Sequence, residues 1–259
     1  MKFYILLIVS LLLVSKVYAS NVSVVVNQEQ FYKDLPLGMS LIVNKNGQTA
    51  HNEPILLIPG VDEQGDNWYQ SINDLLDSNL YDVYIYKWNA FQDPSNISVG
   101  IANSLNQLQE RYDNKFYDLS VIAHSMGGVL LLSSLCESED KKKCPFILKH
   151  KSINFVTLAS PFGGYSQYSP NILKRIIKAF IGPVKMMMGH HRQYNNINKN
   201  IVLNIYKTSF QNDHVMKQYR NYDIRVPSPF NNYNLDSELL KDDSHTSSIQ
   251  TYIEYFLEN

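Results

Sequence analysis

Cysteine is nearly absent from this 259-residue chain. There are two, Cys136 and Cys144, too few for a disulfide-stapled scaffold and too far from any histidine cluster to suggest a zinc site. An excess of either charge is also missing. Lys and Arg number 23 against 24 Asp and Glu, a net charge of −1, which gives no general pull toward nucleic acid. Glycine and proline number 11 and 10, far below the composition of fibrous or low-complexity chains. After the first twenty residues no apolar run is long enough to read as a membrane span. What remains is 44% hydrophobic and 18% charged. That is an ordinary globular composition, in a length that suits one large α/β domain with a sizeable core.

The first residues, MKFYILLIVSLLLVSKVYAS, read differently from the rest. Lys2 precedes an apolar stretch from Phe3 to Val14, and Val17-Tyr18-Ala19 follows. The stretch is shorter than the roughly 20 residues of a spanning helix, and residues 17 and 19 suit a signal peptidase. The expectation is a signal peptide over 1–19 and a mature chain over 20–259, exported to the periplasm or secreted. In an oxidising compartment, a Cys136–Cys144 disulfide across the charged loop CESEDKKKC is also expected.

Compact apolar runs alternate with helical patterns along the mature chain. PILLIPG at 54–60, YDVYIYKW at 81–88, the run at 117–123, SINFVTLAS at 152–160 and NIVLNIYKTS at 200–209 predict strands. The spacing of Ile72, Leu75, Leu76 and Leu80, and of Ile101, Leu105 and Leu108, predicts helices over 68–80 and 97–112. Helices are also expected over 126–135 and 247–257. NVSVVV and MSLIVN, within residues 20–52, suggest added edge strands. The alternation implies a mostly parallel sheet with helices on both faces. The stretch 161–199 interrupts the rhythm and reads as an insertion over one end of the sheet.

The segment YDLSVIAHSMGG carries the chemistry. A strand runs into Ser125, and a helix starts directly after it. A sharp strand-to-helix turn pushes the hydroxyl above the sheet and aims free helix N–H groups at developing negative charge. Such a turn needs small residues on either side, and Ala123, Gly127 and Gly128 supply them.

AHSMG resembles the G-x-S-x-G nucleophile elbow of α/β-hydrolases, with Ala123 in place of the first glycine. PILLIPGV resembles the strand and oxyanion loop of lipases, with Pro59-Gly60 where His-Gly usually stands. TLASPFGG at 157–164 resembles the segment after the elbow in the same enzymes. Residues 54–164 are thus similar to secreted lipases and to GPI inositol-deacylase-like lipases. The resemblance implies an α/β-hydrolase fold and backbone oxyanion donors at Val61 and Met126. It also implies a triad in the order serine, acid, histidine. His245, in the polar loop KDDSHTSS before the last helix, stands where the family places the base. His51 precedes the serine, His150 precedes a strand, His190 and His191 lie in the insertion, and His124, beside the serine, would point aside, which leaves His214 as the alternative. For the acid, Asp213 follows the strand over 200–209, with Asp223, Asp236, Asp242 and Asp243 as rivals.

Within the insertion, Ser169 and Pro170 suit a helix start. Ile172, Ile176 and Phe180 then share one face, opposite Lys174, Arg175 and Lys178. Met186, Met187 and Met188 follow. Residues 170–188 read either as a lid meeting acyl chains or a membrane surface, or as a fixed cap. No cofactor or metal is expected, since His190 and His191 lack a third ligand. The function expected is a secreted serine hydrolase acting on lipid or other acyl esters. An acyltransferase using the same acyl-serine and a non-catalytic lipid-binding protein are the alternatives.

Overall fold

The computed structural model describes residues 23–25, 31–43, 53–61, 66–112, 118–135, 145–149, 153–162, 201–208, 212 and 233–259. The expected leader, both cysteines and residues 163–199 of the expected insertion lie outside them.

Eight strands form one sheet: β1 (Ser23–Val25), β2 (Gly38–Val43), β3 (Glu53–Ile58), β4 (Tyr81–Lys87), β5 (Leu119–His124), β6 (Ile153–Leu158), β7 (Leu203–Tyr206) and β8 (Tyr233–Asp236). Their order is β1-β2-β4-β3-β5-β6-β7-β8. β2 pairs antiparallel with β4, β1 runs parallel to β2, and every other pairing is parallel. The described helices are α1 (Phe31–Asp34), α2 (Asp66–Asp77), α3 (Pro94–Arg111), α4 (Met126–Ser134) and α5 (Ser247–Glu258).

Side chains alternate across each strand, so consecutive residues enter opposite layers. Leu56, Ile58, Val121, Ala123 and Phe155 face α3 and α4, where Ile101, Leu105, Val129 and Leu130 meet them. Ile55, Leu57, Ile122, Val156 and Leu158 face the other way, toward Trp68, Ile72 and Leu75 of α2 and Ile249 and Ile253 of α5. Each such Val, Leu, Ile or Phe side chain, fully buried, contributes about 1.5–3 kcal/mol. Because both faces are covered, the central strands are continuously apolar, which is why they are visible as unbroken runs.

The topology fixes where a site can form. From β3 the chain passes through α2 to β4 on one side. From β4 it returns through α3 to β5 on the other side of β3. The winding therefore reverses between β3 and β5, and a crevice opens there at the carboxyl ends of the strands. Ile58 and His124 are those ends.

Two expectations needed revision. The strand expected over 200–209 is confined to Leu203–Tyr206. β8 was not anticipated: YNLD is four residues long and mostly exposed, so it carries no apolar period.

Candidate active site

Ser125 sits at the end of β5 with φ 52° and ψ −124°. That left-handed φ is strained for a residue with a β-carbon and persists only where surroundings enforce it. Here the Ser125 N–H donates to the Leu158 carbonyl of β6 at 2.8 Å, and the Gly128 N–H donates to the Ser125 carbonyl at 3.1 Å. Gly127 packs directly on the end of β3. A β-carbon there would stand 2.3 Å from the Ile58 carbonyl oxygen and 2.6 Å from that of Pro59. One at Gly128 would stand 2.0 Å from Ser160 Oγ. Both glycines are thus required by close approach to neighbouring elements, while Ala123, fully buried, fits with its methyl.

His245 reaches this turn from the loop between β8 and α5. Its Nε2 lies 2.9 Å from Ser125 Oγ. For the hydroxyl to donate, Nε2 must be bare and the imidazole proton must sit on Nδ1. Ser125 and His245 are both half-buried, so the pair is accessible from one side. The polar sequence around His245 fastens the loop. Ser244 N–H donates to Ser247 Oγ at 2.9 Å, and Ser247 N–H donates back to Ser244 Oγ at 3.1 Å. Ser247 Oγ and Thr251 Oγ1 donate to Asp243 Oδ1 at 2.8 and 2.9 Å.

Met126 opens α4, and the first N–H groups of a helix have no acceptor within it. They lie next to the serine hydroxyl, where the helix dipole favours negative charge. The turn carrying Val61 leaves β3 beside them. Its Pro59 carbonyl accepts the Trp88 indole N–H at 2.9 Å, a buried bond from the end of β4. Trp88 was not singled out by sequence reasoning. A tryptophan closing a strand next to a Pro-Gly turn is the one available signal.

Of the acid candidates, Asp213 and Asp223 lie outside the described residues. Asn212, immediately before Asp213, donates from Nδ2 to the Lys241 carbonyl at 3.5 Å, against the loop that carries His245. Two rivals are occupied locally. Asp236 Oδ1 accepts the Glu238 and Leu239 N–H groups at 2.8 and 3.1 Å, and Asp243 serves the loop network. Asp242 is exposed. Among the described residues no group of three or more His, Cys, Asp or Glu could hold a metal, and no helix is long and apolar enough to cross a membrane.

A strained serine on a strand-to-helix turn, a histidine bonded to it and helix N–H groups alongside can perform nucleophilic acyl chemistry. Sequence comparison agrees in class. The chain belongs to the family described as "Putative serine esterase (DUF676)", whose model matches residues 86–217. It also aligns over 79 residues, at 37% identity, with a Saccharomyces cerevisiae protein described as a putative lipase. That match covers 30% of this chain and 12% of the yeast protein. By structure, the chain resembles a monoglyceride lipase from Saccharomyces cerevisiae with a TM-score of 0.57 and 14% identity, over 85% of this chain and 90% of that one. It resembles esterase B from Lactobacillus rhamnosis with a TM-score of 0.55 and 14% identity, over 81% and 75%. The fold is that of the α/β-hydrolases, as the elbow segment implied.

Proposed function

We propose that this protein hydrolyses carboxylic esters, lipid or other acyl esters, through an acyl-serine intermediate. The observation that carries the reading is the 2.9 Å contact between Ser125 Oγ and His245 Nε2 at a strained elbow. In the reaction His245 Nε2 takes the Ser125 proton as Oγ bonds to the ester carbonyl carbon. The amides of Met126 and Val61 receive the oxyanion, and Asp213 holds the His245 tautomer and stabilises the imidazolium. The C–O bond to the alcohol then breaks, and His245 gives the alcohol its proton. Water, deprotonated by His245, cleaves the acyl-enzyme and regenerates Ser125. The monoglyceride-lipase and esterase neighbours support an acyl ester as the substrate class. We further propose that residues 1–19 direct export, with Cys136 and Cys144 oxidised to a disulfide in the exported chain, and that 170–188 contacts lipid.

A chain-length series of p-nitrophenyl esters tests the reading. The wild type should turn over at least part of the series, and Ser125→Ala should lower that rate roughly a thousandfold or more with the fold intact. An unchanged rate in Ser125→Ala would overturn it.

A further inference from the structure

His124 is fully buried, yet it is a polar residue at the end of a central strand. Its Nε2 lies 2.7 Å from the main-chain carbonyl oxygen of His245. A carbonyl only accepts, so this Nε2 carries a proton and donates it. The same carbonyl accepts the hydroxyl of Ser248, buried in the first turn of α5, at 2.9 Å. The two imidazole rings stand with centroids 4.6 Å apart, and Trp68 of α2 meets His124 edge-on at 6.4 Å.

These contacts close a ring. His124 and Ser125 are consecutive residues. One binds the backbone of His245 and the other binds its imidazole, by bonds of 2.7 and 2.9 Å. The loop bonds among Asp243, Ser244 and Ser247 set the shape of the histidine loop. They do not tie it to the nucleophile, because every partner is local. β8, which feeds that loop, is separated from β5 by two strands. The bond from His124 crosses that gap and references the base to the residue next to the nucleophile.

We propose that His124 is a positioning residue for the base: its Nε2–H holds the His245 carbonyl so that His245 Nε2 stays within reach of Ser125 Oγ. The inference rests on the hydrolase reading above. Misplacing a catalytic group by about 1 Å can cost on the order of a hundredfold in rate, so a single buried donor is enough to matter.

The test replaces His124 by Phe, which keeps a buried ring and removes the donor. The His245 carbonyl keeps Ser248 as a partner, so it is not left bare. For a soluble p-nitrophenyl ester, kcat should fall about ten- to a hundredfold with KM within about twofold. Hydrogen exchange of the peptide spanning residues 243–249 should accelerate. His124→Gln, whose amide can donate from a similar distance, should recover most of both losses. Wild-type kcat and wild-type exchange in His124→Phe would overturn the proposal. So would a loss confined to KM. If His124→Phe does not fold, His124→Gln decides: near-wild-type exchange at 243–249 supports the proposal, and accelerated exchange with full kcat refutes it. Exchange is read without turnover, and wild type against Ser125→Ala tests hydrolysis separately, so failure of this inference is distinct from failure of the hydrolase reading.

Discussion

Two sets of polar side chains lie inside this sheet, one at each end of its strands. At the carboxyl end are Ser125, His124 and His245. Toward the amino end of β4, Asp82 accepts a hydrogen bond from the Tyr112 hydroxyl, and the Tyr112 and Tyr84 hydroxyls lie 3.0 Å apart. All three residues of the second set are buried, and Arg111 lies over the Tyr84 ring at 5.9 Å. Both sets contain titratable groups taken from water, and burial alone does not distinguish them. Backbone and access do. Among the described residues only three non-glycine residues have a left-handed φ, and two, Ser125 and Ala159, close β5 and β6 at the carboxyl end. Asp82 and Tyr84 sit on regular strand and Tyr112 caps the end of α3 with an ordinary negative φ, and their donors and acceptors are turned on one another. The set reads as a fastening between β4 and the end of α3. The carboxyl-end set keeps a serine hydroxyl half-exposed on strained backbone, the combination expected where strain is tied to function.

The comparison can be broken by mutations that should separate activity from stability. Of the mutations that set the two ends against each other, the largest effect is expected from Asp213→Asn, which should cut kcat by roughly a hundredfold or more, since an asparagine in the proposed triad favours the wrong histidine tautomer. Asp236→Asn should not, because an asparagine oxygen can still accept the Glu238 and Leu239 amides. A dead Asp236→Asn enzyme would move the acid to β8. Tyr112→Phe should do the reverse. It leaves the buried Asp82 carboxylate without its donor and should lower stability by about 1–3 kcal/mol in urea unfolding, with kcat unchanged. A loss of kcat without loss of stability would merge the two ends of the sheet.

The smallest effect sharpens the same division through pH. Burial pushes the Tyr86 phenol up from 10 to about 12. Burial, then the bond to Asp82, raises Tyr112, and burial also raises Tyr84. A raised folded-state value favours the protonated form in the native state. This stabilisation is complete below about pH 10 and is lost as pH climbs through the folded values. Melting temperature should therefore drop from pH 10 upward, and Tyr86→Phe should flatten the part of that drop between 10 and 12. An identical slope in both proteins would remove Tyr86 from the account.

Much of this arrangement is legible in the sequence, and the reasons are physical. The central strands are covered on both faces, so PILLIPG and SVIAH appear as apolar runs. The elbow is legible because a tight turn restricts residue size, and Ala123, Gly127 and Gly128 record that restriction. The expectation for His245 comes from the resemblance, which places the base before the last helix, and not from any pattern in the loop itself. The edge strand β8 is not legible, since a short strand with exposed side chains has no pattern to read. The contacts of His124 and Trp88 are also hidden. Each depends on carbonyls brought near by tertiary structure, His245 being 121 residues from His124 and Pro59 29 residues from Trp88. Nothing in residue type alone shows that the histidine beside the serine faces the backbone of the other histidine.

The central claim is that Ser125 is a nucleophile activated by His245, and reaction with an alkyl fluorophosphonate followed by peptide mass analysis tests it most directly. One adduct per chain is predicted, on Ser125, with the rate of labelling falling roughly a thousandfold in His245→Ala while its melting temperature holds. Labelling of Ser125 at the same rate in His245→Ala, or an adduct only on another residue, would contradict the claim.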